Sequence, residues 1–171
     1  MTPLRAKRTH PAAAELLLDD VRPDYADAFE IAVPDGDSRT AEQAFRDALG
    51  ATPGALGSLV LWAHRHILRF RLGPFAAPDY AIGWKILHAE HDVLALQADG
   101  PLMRGILILR RTDRTAVLMT YLLFHRHRTA RAVWSVVGHV HRAVAPRLME
   151  RSARHSFRPP SARSQRTDGL A

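Results

Sequence analysis

Apolar residues follow a helical repeat in the first part of the chain and a strand repeat from about residue 80 onward. "TAEQAFRDAL", residues 40–49, has apolar side chains three to four positions apart, which predicts an amphipathic helix. A similar stripe predicts a second helix over about 55–72. Ahead of both helices, "YADAFEIAVP" at 25–34 places aromatic and aliphatic residues at alternate positions and ends in proline, which is typical of a strand.

Four further segments, from residue 80 onward, have apolar side chains at alternate positions and are separated by short turns. They are "YAIGWKILHAE", "DVLALQAD", "LMRGILILRR" and "TAVLMTYLLFHRH". Consecutive strands joined by short turns predict an antiparallel meander. The last segment is apolar on both faces, which favours a strand covered on both sides and leaves open which face lies inside.

A long helix is predicted for residues 129–154. Its apolar stripe recurs every three to four residues and consists of Val133, Val137, Val140, Val144 and Leu148. At 1.5 Å per residue, such a helix is about 37 Å long and can cross a whole sheet. The order strand, helix, helix, four strands, helix therefore predicts an α+β fold in which about five antiparallel strands wrap on the C-terminal helix.

Four stretches carry a resemblance to known proteins: "DYADAFEI", "GWKIL", "ADGPLMRGILILRR…AVLMTYLLF" and "ARAVWSVVGHVHRAVAPRLM". In these stretches, which span about 24–150, the chain resembles domain-of-unknown-function family 2867. That family belongs to the START-like (SRPBCC, polyketide cyclase-like) helix-grip superfamily. The resemblance implies a reduced helix-grip fold with a cavity between the sheet and the C-terminal helix. It implies no particular reaction and no catalytic residues.

Length and composition indicate the domain organisation. A chain of 171 residues with 47% hydrophobic content suits one domain with a real core. We expect a flexible arm at 1–13, a single START-like domain at 14–155 and a disordered basic tail at 156–171. The sequence has no cysteine, which excludes disulfides, thiolate metal sites and cysteine nucleophiles. No stretch approaches the roughly 20 apolar residues of a membrane span, so we expect a soluble, cytoplasmic protein.

Positive charge is concentrated after residue 50. Residues 1–50 hold six Lys/Arg and ten Asp/Glu, whereas the whole chain has a net charge of +7. Arginine suits contacts to phosphate or carboxylate, so nucleic acid, an anionic membrane surface or an acidic ligand are candidate partners, and a solvated surface is the alternative. The aromatic content of 7% weakens the case for nucleic acid, because base-stacking surfaces combine aromatic and basic side chains.

Three His-x-His pairs, 64/66, 125/127 and 139/141, are candidates for chemistry. Residues two apart on a helix point about 200° away from each other, so only 125/127, on the predicted last strand, could hold one metal ion. No third ligand lies near that pair in the sequence, so we expect no metal site and no cofactor. His141 flanks the apolar stripe of the long helix. It could be a general base in a cavity or a half-buried histidine bonded to backbone.

Candidate ligand contacts come from large side chains of the sheet and the long helix. Trp84 and Trp134 could line a pocket or pack in the core. Met119 and Tyr121 share one face of the last strand with His125, and this face could line the cavity or point outward. No nucleophile-with-base motif is present, so no catalytic residue is assigned. The predicted ligand-binding residues are Trp84, Met119, Tyr121, Trp134 and His141.

Three functions are open on this fold. The first is binding of a small hydrophobic ligand (lipid, isoprenoid or polyketide-like) between sheet and helix. The second is an enzyme of the cyclase, isomerase or hydrolase type. The third is a basic interaction module for nucleic acid or an anionic membrane surface.

Two residue pairs bear on these functions. Asp99 and Arg104 lie on either side of the junction between two predicted strands. They could form a structural salt bridge or an acid–cation pair at the mouth of a pocket. Ile106 and Ile108 share the Arg-bearing face of their strand. If that face is the outer one, it is unusually apolar and could pair with a second copy in a homodimer.

Overall fold

Seven antiparallel strands form one open sheet in the computed structural model, which describes residues 4–11, 22–49, 55–75 and 77–155. Across the sheet they lie in the order β1-β2-β7-β6-β5-β4-β3. The α+β class and the antiparallel arrangement predicted from the sequence are confirmed, and the strand number is seven rather than about five. The strands are β1 (Lys7–Thr9), β2 (Tyr25–Ala32), β3 (Tyr80–Ala81), β4 (Trp84–Ala89), β5 (Val93–Asp99), β6 (Met103–Arg111) and β7 (Thr115–Phe124).

The two additional strands are short and lie at the two edges of the sheet. β1 pairs with β2, so part of the predicted flexible arm belongs to the sheet. Its sequence, "KRT", has no apolar alternation, and backbone hydrogen bonds to β2 hold it in place. β3 is separated from β4 by Ile82 and Gly83, whose φ angles of 53° and 82° suit a two-residue hairpin turn. The single strand predicted over 80–90 is therefore a hairpin.

The described part of the chain holds three helices, α1 (Ala41–Leu49), α2 (Ala55–His66) and α3 (His127–His155). A capping box begins α1: Gln43 N donates to Thr40 Oγ1 at 3.1 Å, and Thr40 N donates to Gln43 Oε1 at 2.9 Å. α2 ends six residues earlier than predicted. Arg69 takes a left-handed backbone conformation with a φ of 57°, and the chain turns so that Phe70 enters the core.

The two faces of the sheet carry separate apolar clusters. α1 and α3 pack on the face that we call the inner face, which includes Phe29, Leu96 and Leu122. Ile106 and Ile108 lie on the opposite, outer face and are buried within this chain. These two residues therefore do not supply the exposed apolar patch expected of a dimer interface, and the homodimer stays a prediction. The outer cluster consists of Ala28, Ala95, Ile106, Ile108, Met119 and Tyr121.

The predicted long helix is confirmed as α3, which packs against α1 and the inner face. Its buried side overlaps the predicted valine stripe in part. Val144 is buried together with Trp134, Ala145 and Met149, whereas Val140 is half-exposed. The predicted tail at 156–171 lies outside the described residues.

Candidate functional site

A cavity of about 170 Å³ lies between the inner face of the sheet and the three helices. Its walls come mainly from β2, β6 and β7 on one side and from α1, α2 and α3 on the other. Aliphatic and aromatic side chains make up most of the lining. Small-molecule sites generally combine such a lining with a few polar groups that fix orientation. The polar groups here form two clusters, one around His141 and one around Arg111.

An aromatic wall of the cavity is formed by His64 on α2, Phe70 after it and Trp84 on β4. The three rings contact one another edge to face, with centroids 5.3, 5.4 and 5.9 Å apart. A Cβ atom at Gly105 would lie 2.9 Å from Trp84 Cη2 and 3.0 Å from Phe70 Cζ. The absence of a side chain at this position of β6 therefore leaves the space that the rings of Trp84 and Phe70 occupy.

The histidine cluster consists of Asp27, Thr120 and His141. Asp27 on β2 and Thr120 on β7 are direct neighbours across the two strands. His141 Nε2 lies 3.3 Å from each carboxylate oxygen of Asp27 and 3.4 Å from Thr120 Oγ1. Because a carboxylate only accepts, Nε2 carries the proton of this contact. The Nδ1 atom of His141 takes no part in this contact.

Tyr25 completes the surroundings of Asp27. Its hydroxyl donates to Asp27 Oδ2 at 2.6 Å, and Arg142 Nη1 donates to that hydroxyl at 3.4 Å. Burial and the bond to Asp27 raise the pKa of Tyr25 to about 12. Burial alone would raise the pKa of Asp27, but hydrogen bonds and charge from His141, assisted by two hydroxyl groups, hold that pKa below 3.8. Asp27 is therefore an anion at neutral pH.

Two buried polar atoms have no hydrogen-bond partner within the described part of the chain: His64 Nδ1 and Trp134 Nε1. Trp134 is 8% exposed, and its ring centroid lies 5.4 Å from that of His141. Burial, and then the positive charge of His141, lower the pKa of His64 from 6.5 to about 4, so this imidazole is neutral at neutral pH. An unpaired buried polar group costs about 1–3 kcal/mol, so a partner inside the cavity would stabilise the protein.

The arginine cluster consists of Asp37, Arg39 and Arg111. Arg39 holds Asp37 in a bidentate contact, with Nε–Oδ1 at 2.8 Å and Nη2–Oδ2 at 2.7 Å. Arg111 Nη2 lies 2.9 Å from the same Oδ2, and Arg111 Nη1 donates to the carbonyl oxygen of Arg39. Arg111 pairs with Ala116 on β7, four residues before Thr120, which places the two clusters about 13 Å apart along the strand.

The cavity opens between α2 and α3. Leu59 on α2 and Val140 on α3 both line it, and they are 53% and 52% exposed. A side chain that lines a cavity and also reaches solvent marks its mouth. The prediction that Val140 faces the core is therefore wrong, because this valine borders the opening.

Three of the five predicted ligand-binding residues, Trp84, Trp134 and His141, line the cavity. Met119 and Tyr121 lie on the face of β7 that the sequence left undecided; both belong to the outer cluster, are 2% exposed and do not line this cavity. β7 is apolar on both faces, so the alternation of residue types could not identify the inner one. The β7 residues that line the cavity are Ala116, Leu118, Thr120 and Leu122.

The other sequence candidates do not meet at the cavity. Arg104 Nε donates to Asp99 Oδ1 at 2.7 Å in an exposed pair, and neither of these described residues lines the cavity. His125 and His127 are not strand neighbours, because β7 ends at Phe124 and His127 begins α3. In the described ranges, no three His, Asp or Glu side chains come together as a metal site would require.

Sequence reasoning missed the roles of Asp27, His64 and Arg111. Asp27 left a signal, since it shares one face of β2 with Phe29 and Ile31, and a carboxylate on an apolar face is buried. The sequence presents His64 only as half of a His-x-His pair. Arg111 follows Arg110 in a basic stretch and left no signal in the sequence.

Among the described helices, none combines the length and the apolar character that crossing a membrane requires. Comparison with protein-family models gives no match, and comparisons with curated proteins and with solved structures give no significant match. The resemblance to family 2867 and to the START-like superfamily therefore stays a prediction. What bears on function is the geometry of the cavity.

Proposed function

We propose that this protein binds a small hydrophobic molecule in the cavity between the inner face and α3. The observation that carries the proposal is the lining of the cavity, which is mostly apolar, contains a few buried polar groups and is reached through a mouth between two helices. An apolar lining gains free energy by taking a ligand out of water, and the polar groups orient that ligand.

The volume of the cavity favours a ligand of one ring or one short branched chain. About 170 Å³ is slightly more than the roughly 150 Å³ of an engineered apolar cavity that holds benzene in another protein. Of the ligand classes predicted from the sequence, a single aromatic ring or an isoprenoid unit fits this volume. A long acyl chain or a multi-ring polyketide is larger than this volume.

A thermal-shift series with toluene and phenol tests this proposal. Both probes should raise the melting temperature, because a ligand that binds only the folded state stabilises it. A chain of this size should gain about 2–4 °C per kcal/mol of stabilisation. Val137→Phe should abolish the gain, since Val137 lines the cavity and the added ring would fill it. Val136→Phe is the matched control, because Val136 is 70% exposed on the same helix.

Native mass spectrometry of the same samples should show one bound molecule per chain. The proposal fails if neither probe binds to the wild-type protein. It also fails if Val137→Phe responds to both probes as the wild type does, because the molecule would then sit elsewhere.

One observation favours a second candidate, an enzyme of the cyclase, isomerase or hydrolase type. His141 lines the cavity, and Asp27 orients its Nε2, an arrangement in which Nδ1 can transfer a proton. The same contact also links the sheet to α3, so this candidate ranks second. Conversion of a bound ligand that His141→Gln abolishes, with binding retained, would support it.

The basic interaction module and the cytoplasmic location stay predictions. The Arg-rich tail at 156–171, which motivates the first, lies outside the described residues.

A further inference from the structure

Trp134 and His64 line the same cavity from two different helices, and each has a side-chain nitrogen that is unpaired among the described residues. Both atoms are buried, and within the described residues neither has a hydrogen-bond partner. The ring of His141, which also lines the cavity, contacts that of Trp134, with centroids 5.4 Å apart. The indole N–H only donates, whereas Nδ1 of a neutral imidazole either donates or accepts. A hydroxyl group has both the acceptor that the indole requires and a proton that the imidazole nitrogen can accept.

The charged groups around these two atoms already have partners in the protein, which disfavours an ionised ligand group. The Asp27 carboxylate lies 3.3 Å from His141 Nε2, and Arg142 Nη1 donates to the Tyr25 hydroxyl at 3.4 Å. The guanidinium groups of Arg39 and Arg111, which would attract an anion, are engaged by Asp37 and by backbone carbonyl groups. An ammonium group has no lone pair with which to accept from the indole N–H.

We propose that the ligand carries an uncharged oxygen, in a hydroxyl or carbonyl group, that accepts from Trp134 Nε1 and bonds to His64 Nδ1. This inference rests on the proposed function, because it specifies the ligand of the same cavity. A hydroxyl group serves both atoms, since its oxygen accepts from the indole and its proton goes to the imidazole nitrogen. The ligand class is then a phenol or a small alicyclic alcohol or ketone.

Phenol and toluene test this inference as matched probes, because they share a ring and differ in a hydroxyl against a methyl group. Trp134→Phe and His64→Phe should each weaken phenol binding about tenfold, the value of one hydrogen bond. Toluene binding should be unchanged in both variants. Trp62→Phe and His66→Phe are matched controls, since both side chains are exposed on α2 and neither of these described residues lines the cavity.

A measurement on the wild-type protein does not depend on how well the variants fold. The indole N–H proton resonance of Trp134, assigned by its loss in Trp134→Phe, should move on addition of phenol and move much less with toluene. Formation of a hydrogen bond at Nε1 is the reason, because it changes the shielding of that proton directly.

The outcomes separate this inference from the proposed function. If both variants lose affinity for phenol and toluene equally, or if the Trp134 resonance responds alike to both probes, these atoms do not recognise the oxygen. The inference is then overturned, while ligand binding in the cavity stands. If neither probe binds to the wild-type protein, the proposed function fails and the inference fails with it.

Discussion

Asp27 and Asp37 are buried carboxylates beside the same cavity, and they differ in what holds them. Asp37 is bound by two guanidinium groups, which keep their charge at any pH that a folded protein meets. Asp27 is bound by two hydroxyl groups and by the imidazole of His141. The arginine cluster is therefore held by two permanent charges, whereas hydroxyl and imidazole groups hold the histidine cluster.

This difference separates a structural site from a candidate functional one. In the arginine cluster, each carboxylate oxygen of Asp37 accepts from a guanidinium group, and the cluster ties the turn after β2 to the end of β6. Beside the histidine cluster, Trp134 and His64 have buried atoms that no described residue satisfies. Buried polar atoms without a partner are typical of functional sites. We therefore expect a ligand beside the histidine cluster rather than beside the arginine cluster.

The largest effect is expected for Arg111→Met, which removes one guanidinium group and keeps a long side chain. Asp37 would lose a buried ion pair, and the carbonyl of Arg39 would lose its donor. Breaking a buried pair costs about 3–5 kcal/mol, and we expect about 3 kcal/mol because Arg39 still holds Asp37. Urea unfolding should show a lower midpoint with an unchanged slope.

The control for this variant is Arg114→Met, in the exposed turn after β6. Surface substitutions of this kind change stability by about 0.5 kcal/mol at most. If Arg111→Met is as stable as the control, the arginine cluster does not hold this end of the cavity together, and the contrast with the histidine cluster disappears.

A smaller effect is expected for Asp27→Asn, which should lower the unfolding free energy by about 1–3 kcal/mol at pH 7. The amide keeps the shape of the side chain but loses the charge that His141 and the Tyr25 hydroxyl bond to. Thermal or urea unfolding measures the loss. Asp113→Asn, in an exposed turn, should leave stability nearly unchanged.

The pH dependence of the Asp27→Asn effect sharpens the comparison. The pKa of Asp27 in the folded state is below its ordinary value of 3.8, so the carboxylate stabilises the fold above pH 3.8. This stabilisation is lost as the pH falls through the folded pKa. The gap in unfolding free energy between wild type and Asp27→Asn should therefore be full at neutral pH and shrink in more acidic solution. A gap that stays constant down to about pH 2 would contradict this account.

Periodicity was sufficient to predict the long elements of this fold and insufficient for the short ones. α3 and the strands β4–β7 are long enough for the repeat of apolar residues to recur several times. A repeat of that length rarely arises by chance. β1 is three polar residues that backbone hydrogen bonds hold against β2, and such bonds leave no pattern in the side chains. The end of α2 depends on the left-handed conformation of Arg69, a residue type without a preference for it.

The candidate site was predictable from its helix more than from its sheet. The period of α3 predicted an apolar stripe that Trp134 and His141 flank, since they lie three residues before and four residues after Val137. The apolar pattern of β7 did not identify its inner face. Tyr121, a candidate from the sequence, lies on the outer face, and its neighbour Thr120 lines the cavity. The arginine cluster could not be predicted, because Arg111 and Asp37 are 74 residues apart and the fold alone brings them together.

The smallest effect is expected for Arg104→Ala, which breaks a third carboxylate–cation pair. Arg104 Nε lies 2.7 Å from Asp99 Oδ1, as close a contact as those in the arginine cluster, but the two side chains are 45% and 41% exposed. Water and salt screen such a pair, so we expect a loss below about 0.5 kcal/mol that vanishes at high salt in urea unfolding. If Arg104→Ala lowers the unfolding free energy as much as Arg111→Met does, the distance between the charged atoms, rather than their burial, sets the strength of these pairs. Burial would then not explain why Asp37 and Asp27 differ, and the type of partner side chain would be the remaining cause.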